Sequence, residues 1–530
     1  MKKEKRTQNL PDIERPEIQS YSKARAAAKK IKYASFSAVS AVIAIAVAVA
    51  LNVVLFFAAE RFDLKADLSE EKVFTLSEQT ESFLAEFSQT GKAAEIIILG
   101  DEADFRSRAS AGTSVSAYTY IVQTADNYAK ACASVSVRYV DPRYNPAFFR
   151  DRGITLSSSS ENSSPIMVLF SPDTRRYRLV DSSVFDNMEY VGLERRMTGG
   201  LVFVTRENIQ TVGVLSGHGE MVLSHFQLLL EDNGYQVKYL TLSEFDKVPD
   251  SYSLLVIANP VRQYSSGDIE KIDAFLYNGG LFGKHLMVFG DLDMYENPQL
   301  ETYLKDEWGL SFGKEAIFDA GKNIYTLTNV YYPFLRLDYN ESDISGYLAS
   351  GGYSQYVRLG KARPVVREFE SRDEYTTFPL VSSSSTSFSR YIADTSISVN
   401  DLAAFKKQPS DTEGPFTVMA ASQRSRYEQT TRFSSSVLMA GSSSFVEDYF
   451  VSNVDGFTES SADYILRAVK SMVASSETID TDILPAKLIG DSLNFENNTQ
   501  VAFVVAVILG VVPGVFLVAG ILVFRRRRRL

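Results

Sequence analysis

The sequence predicts an α/β protein built on a parallel sheet, and three observations within one stretch predict it. Between Thr211 and Gln263, three short apolar runs (residues 212–215, 237–242 and 254–258) are separated by polar or amphipathic segments. The segment after the first run has helical spacing, with Val222, Phe226, Leu229 and Leu230 on one side, and strands alternating with helices imply parallel strands joined by crossovers. The first run ends in Ser216-Gly217-His218-Gly219-Glu220 and the third in Asn259-Pro260. These turns fall at the carboxyl edge of the expected sheet, where open α/β sheets hold their ligands.

In chain order, residues 1–32 are polar and basic, contain Pro11 and Pro16 and lack apolar periodicity, which predicts a cytoplasmic tail. Residues 23–32 can lie as a short helix on anionic lipid. Residues 36–59 are uncharged and rich in Ala, Val, Ile and Leu. At about 1.5 Å per residue, a helix of that length crosses a hydrocarbon core of roughly 30 Å. A cleaved signal peptide is the competing reading, but the run exceeds the usual apolar core of a signal. A retained transmembrane helix within 33–60 is therefore expected.

Residues 61–205 form the next expected domain. Ser77 is placed to cap a helix from Glu78, with Thr80, Leu84 and Phe87 at helical spacing. Residues 94–99 read as a strand. Residues 115–133 read as a helix on Tyr118, Ile121, Val122, Ala125 and Tyr128, and 134–140 as an alternating strand ending in Asp141-Pro142. Residues 166–170 and 176–180 pair as a hairpin across Ser171-Pro172-Asp173. This order suits a small thioredoxin-like α/β domain. The lone cysteine, Cys132, leaves no Cys-x-x-Cys, so redox chemistry of that kind is not expected. The serine-rich stretch 156–165 reads as a surface loop, and 194–205 as a helix-like segment running into the apolar residues 201–204.

Residues 206–477 carry the parallel sheet. A helix over 266–277 is capped near Ser265 or Ser266 and closed by Gly279-Gly280. A strand over 285–289 ends in Gly290-Asp291, and a helix follows at 299–308. Residues 312–375, with many tyrosines and short apolar runs, read as an irregular β-rich insertion. Strands follow at 378–381, 416–420 and 435–440, the last leading into Gly441-Ser442-Ser443-Ser444, and a helix over 461–473 ends the domain. A polar tether, 478–499, leads to a second uncharged run, 501–524, inside an expected span of 500–524, and then to five arginines at 525–529. Gly510, Pro513, Gly514 and Gly520 would weaken a soluble helix but are tolerated in a membrane. Small residues there offer a close-packing face to another helix, which is compatible with a homo-oligomer.

Charge supports the same layout. The net charge is −10. Ten Lys/Arg against four Asp/Glu in residues 1–32, and five arginines in the 525–530 tail, put +6 and +5 on the ends and −21 on the stretch between. An acidic body with two basic ends argues against nucleic acid as a partner. Basic residues flank the outer end of each apolar run, so both termini are expected in the cytoplasm and residues of about 60–500 outside it. Three histidines (His218, His225, His285) and the absence of EF-hand spacing give no reason to expect a metal or other cofactor.

The words DLSEEKVFTLS (67–77), YVDP (139–142), LSGHGE (215–220), YNGG (277–280) and VLMAGSSSF (437–445), set between two apolar spans, resemble the gliding-motility-type (GldG-like) auxiliary proteins of ABC transporters. The resemblance covers nearly the whole chain. It implies an extracytoplasmic subunit working with a separate ATPase and a multi-span permease. It also implies that the central domain is flavodoxin-like, similar to class I glutamine amidotransferases, and it names no cargo.

The candidate ligand- or partner-binding residues are Gly217, His218, Gly219, Glu220, Asn259, Asp291, Gly441, Ser442, Ser443 and Ser444. The two glycines permit close backbone approach, and a helix opening just after them would offer free N–H groups to an anion or carbonyl. The plainer reading is a glycine turn demanded by strand-to-helix geometry and capped by His218. Amidotransferase or peptidase chemistry needs a nucleophile on a strained elbow beside a base. The only cysteine lies in the other domain, no Gly-x-Ser-x-Gly occurs, and Gly441-Ser442-Ser443-Ser444 is a degenerate elbow at best. A cell-surface hydrolase using those serines, or a purely structural envelope protein, are the alternatives. No Gly-x4-Gly-Lys-Ser/Thr is present, so ATP hydrolysis falls to another chain.

Overall fold

The structure, a computed structural model, describes residues 74–111, 116–157, 164–185, 190–319, 324–327, 330–333, 335–339, 356–392, 406–428, 431–451, 461–473 and 486–487. The basic tail, both expected spans, the arginine tail and nearly all of the tether lie outside the described residues. Among those described, no helix is long and apolar enough to cross a membrane.

The first layered region begins with α1 (Glu78–Gln89), capped by Ser77, whose Oγ accepts from the Thr80 amide at 3.3 Å. There follow β1 (Ala94–Ile98), α2 (Glu102–Ser110), α3 (Ala117–Ala131), β2 (Val135–Tyr139), α4 (Pro146–Asp151), β3 (Pro165–Phe170), β4 (Tyr177–Asp181) and α5 (Leu193–Thr205). The sheet order is β2-β1-β3-β4, with β1 and β2 parallel and the other pairs antiparallel. Every residue of β1 is buried because helices cover both faces. Ile96 and Ile98 pack with Phe83, Tyr128 and Leu201 of α1, α3 and α5, while Ile97 packs with Phe149 of α4.

The segment read as helix-like plus an apolar run is one helix, α5. Most of it is buried, so the apolar run needs no strand to hide it. Helix α2 was not anticipated, because none of its residues is buried and no apolar stripe marks it.

The second region is a mixed ten-stranded sheet. Its elements are β5 (Thr211–Ser216), α6 (Ser224–Glu231), β6 (Gln236–Thr241), β7 (Tyr252–Ala258), α7 (Ser266–Tyr277), β8 (His285–Phe289), α8 (Pro298–Asp306), β9 (Leu335–Tyr339), β10 (Tyr356–Leu359), β11 (Tyr375–Ser382), β12 (Thr417–Glu428), β13 (Thr431–Ala440) and α9 (Ser461–Met472). Strands β6-β5-β7-β8-β13 run parallel, and β12-β11-β9-β10 continue the sheet antiparallel; Ser371–Arg372 pairs with β11 off this path. The parallel half has the 2-1-3-4-5 order of a doubly wound sheet, with its switch point between β5 and β7. Helices α6 and α9 pack on one face through Phe226, Leu230, Ile465 and Val469. Helices α7 and α8 pack on the other through Ile272, Leu276, Leu300 and Leu304.

The β-rich segment expected as an irregular insertion is therefore partly built into this sheet. Its β9 and β10 extend the ladder beyond β11, and the β12–β13 hairpin returns the chain to a parallel strand beside β8.

Candidate functional site

Four turns gather at the carboxyl edge of the parallel strands. They are Ser216–Glu220 after β5, Asn259-Pro260 after β7, Gly290-Asp291 after β8 and Gly441–Ser444 after β13. All ten candidate residues thus share one rim, but their side chains form two separate hydrogen-bonded groups.

The first group is built on Glu220. Its Oε2 accepts from the His218 amide at 2.8 Å and its Oε1 from the Tyr264 hydroxyl at 2.5 Å. The Glu220 side chain is 1% exposed, so this carboxylate is spent inside the turn. The His218 ring stacks on Tyr264 with centroids 3.9 Å apart. Its Nδ1 lies 3.3 Å from Glu220 Oε1, outside hydrogen-bonding geometry, and its Nε2 3.4 Å from Asp268 Oδ2. Burial alone would raise the Asp268 pKa, but the Ser265 hydroxyl and amide, with His218, outweigh it and lower the pKa. Burial and the adjacent Glu220 push the Tyr264 hydroxyl well above its ordinary range.

Gly217 and Gly219 have φ of +116° and +71°, which L side chains rarely adopt. A Cβ on Gly219 would come within 2.3 Å of Val261 Cγ2. Two backbone bonds close the switch point itself: Val261 N to His218 O and Met221 N to Ala258 O, each 3.0 Å.

Helix α6 begins only at Ser224, beyond Glu220, and Leu223 at its N-cap makes no side-chain cap. The Leu223 amide donates to the Tyr239 hydroxyl and the His225 amide to Asp448 Oδ1. The glycine turn does not open directly onto a free helix terminus, and part of that terminus already faces a carboxylate of the same chain.

The second group is built on Asp291. Its amide donates to Asn259 Oδ1 at 3.1 Å, its Oδ1 accepts from the Ser443 amide at 2.6 Å, and its Oδ2 accepts from the Ser443 hydroxyl. Burial raises the Asp291 pKa against the opposing pull of the Ser443 donors. Ser442, Ser443 and Ser444 are all buried, and Ser442 Oγ accepts from the Ser444 amide at 3.2 Å.

Gly441 is required by close approach, since a Cβ there would lie 1.9 Å from the Arg363 carbonyl oxygen. Arg363 donates from its backbone to Gly441 O at 2.8 Å and from Nε to Gly290 O at 3.0 Å, with its guanidinium 3.8 Å over Phe312. Burial pushes its pKa down to about 10.

Chemically, this arrangement braces the rim. Ser443, the hydroxyl nearest an elbow position, is buried and donates to the Asp291 carboxylate. Outward the rim offers the exposed Gly217 and Gly219, one edge of His218, and the exposed side chains Val222, Val261 and Tyr295. Sequence reasoning missed Tyr264, Asp268 and Arg363. The capping-box spacing of Ser265 and Asp268 was a visible signal for one of them, whereas Tyr264 and Arg363 arrive by long-range packing.

Among groups of His, Cys, Asp and Glu in the described residues, none could hold a metal ion. No curated protein matches the chain. Among solved structures, a chain described as the mmIFT52 N-terminal domain is similar at 12% identity and a TM-score of 0.34, covering 50% of this chain and 99% of that one. A chain from the structure of PurLQS from Thermotoga maritima is similar at 14% identity and a TM-score of 0.24, covering 49% and 100%. Likenesses this distant carry no functional argument. The family model ABC_transp_aux, described as an ABC-type uncharacterized transport system, matches residues 210–467, which hold the whole rim. Over that segment the chain is similar to the auxiliary family of ABC transport systems.

Proposed function

We propose that this protein is a non-catalytic extracytoplasmic auxiliary subunit of an ABC transporter, whose rim docks a loop of a separate permease that works with a separate ATPase. In this reading residues 33–60 and 500–524 cross the membrane, both termini are cytoplasmic, and lipid contacts the two spans. Residues 61–205 are a thioredoxin-like domain. Residues 206–477 are flavodoxin-like, similar to class I glutamine amidotransferases, and 478–499 are a tether.

The observation that carries the reading is the state of the rim within the family segment. The place where an α/β enzyme would expose a nucleophile holds three buried serines, one of them bonded to Asp291. The polar atoms of Glu220 are likewise taken, by the His218 amide of its own turn and by the Tyr264 hydroxyl. What remains outward includes glycine backbone, one edge of His218 and the exposed Val222, Val261 and Tyr295, with polar Arg262 and Asp293 beside them, a mixed surface of the kind protein partners bury.

The test is purification of the full chain in mild detergent. An ATPase and a multi-span permease are expected to accompany it, and His218→Ala combined with Val222→Asp is expected to release them while the protein still folds. Purification alone, together with labelling of Ser443 by a serine-reactive fluorophosphonate, would replace this reading with a hydrolase.

A further inference from the structure

The opposite, amino-terminal edge of the same sheet holds a feature that the docking reading does not use. A cavity of about 420 Å³ opens between the starts of β7, β8 and β13 and the end of α9. That volume lies within the range of small-molecule sites.

Its polar wall is ordered. Arg432, Ser434 and Ser436 alternate along β13 and therefore share a face. Opposite Ser436 stand Gln423 on β12 and His285 on β8. Gln423 Nε2 donates to Ser434 Oγ at 3.2 Å and to Ser436 Oγ at 3.4 Å, and its Oε1 accepts from Arg432 Nη2. Each serine oxygen already accepts, so each hydroxyl proton is left to seek an acceptor. Among the described residues, none takes either proton.

His285 is 7% exposed and its Nδ1 has no hydrogen-bond partner. Burial, reinforced by Lys284, pushes its pKa down to about 4, so the ring is neutral and can carry a proton on Nδ1. A buried polar nitrogen left unpaired is costly unless something fills the site. Phe378, Met472 and Val473 form an apolar wall, and the lining contains no Asp or Glu. Arg432 is exposed and, among the described residues, has no carboxylate within ion-pair distance.

We propose that this cavity binds a small organic carboxylate carried on a short apolar body. Arg432 supplies the charge, Ser434, Ser436 and His285 supply donors, and the apolar wall takes the hydrocarbon. The assignment is independent of the docking reading, since it uses the other edge of the sheet.

Full-length protein in mild detergent is titrated calorimetrically with hexanoate and, separately, with hexan-1-ol, against empty micelles. Hexanoate is expected to bind one saturable site with Kd of about 1 mM or tighter. Hexan-1-ol, and hexanoate with Arg432→Gln, are expected to bind at least about tenfold more weakly. Should Arg432→Gln melt below the wild type, the Ser434→Ala, Ser436→Ala double variant serves in its place and is expected to weaken hexanoate by roughly threefold to tenfold. Absence of saturable hexanoate binding, equal binding of hexan-1-ol, or unchanged binding in the folded variant would each overturn the proposal.

Discussion

A buried ionisable group leaves its mark on how stability follows pH, and His285 is the clearest case. Its folded pKa is lowered from the ordinary 6.5 to about 4, first by burial and then by Lys284. The fold therefore favours the neutral ring, and between those two values the unfolded chain binds the proton that the folded chain refuses. The contribution is fully present above pH 6.5 and is lost as pH falls toward 4. Chemical denaturation of wild type and His285→Gln across this range isolates it. The stability of wild type relative to the variant is expected to fall by up to about 3 kcal/mol on acidification; a flat difference would mean that the ring protonates as readily folded as unfolded. Residues of this kind also mark the limit of sequence reading. Gly217, Gly219 and Asn259 were legible as turn formers, because positive φ narrows the choice of residue, and all three adopt it. The partner that fixes His218 was not, because Tyr264 comes from another crossover; Asp291 was on the expected rim, but no local spacing encodes its bond to Ser443.

At the scale of elements, α5 is the joint between the two sheets. Gly199 sits so close to the end of α6 that a Cβ would lie 1.9 Å from the Asp232 carbonyl oxygen. Around that contact Arg196 donates to Asp232 Oδ1 at 2.8 Å and approaches Asp181 at 3.4 Å, while Arg178 donates to the Glu231 and Tyr235 carbonyls. Desolvation of two arginines is offset here only if this geometry holds. Gly199→Ala is expected to force the helices apart and destabilise the protein by about 1–3 kcal/mol. Gly267→Ala, on α7, meets only Ser265 Oγ at 3.8 Å, and there the added helix propensity is expected to stabilise by about 0.5–1 kcal/mol. Opposite shifts in thermal melting are the check, and a neutral Gly199→Ala would mean that α5 is not clamped. Elements with an apolar stripe, such as α3 and α7, were readable in advance for the same reason that they are stable: their pattern is their packing. Helix α2 has no such stripe, and the addition of β9–β13 to β8 rests on a pairing between distant segments, such as Ser436 with His285, which local periodicity does not contain.

At the scale of the whole molecule, orientation relative to a membrane is the claim with most leverage, and the single cysteine makes it measurable. Cys132 is 1% exposed at the end of α3, so a maleimide should not reach it in folded protein. That gives a silent background on which one introduced thiol can report. Tyr144, 80% exposed, lies in the region assigned to the outside, and Ser20 lies in the basic tail assigned to the cytoplasm. The asymmetry of charge argues for this arrangement, because Lys and Arg near a span are retained inside while a long acidic domain can be translocated. In intact cells a membrane-impermeant maleimide is expected to label Tyr144→Cys and to spare Ser20→Cys until the membrane is permeabilised. The reverse pattern would put the rim and the amino-edge cavity on the side of the ATPase. Labelling of both sites in intact cells would show that the first apolar run does not separate them. A docking rim for a permease loop and a cavity for an outside carboxylate are of use together only if Tyr144 and Ser20 answer differently.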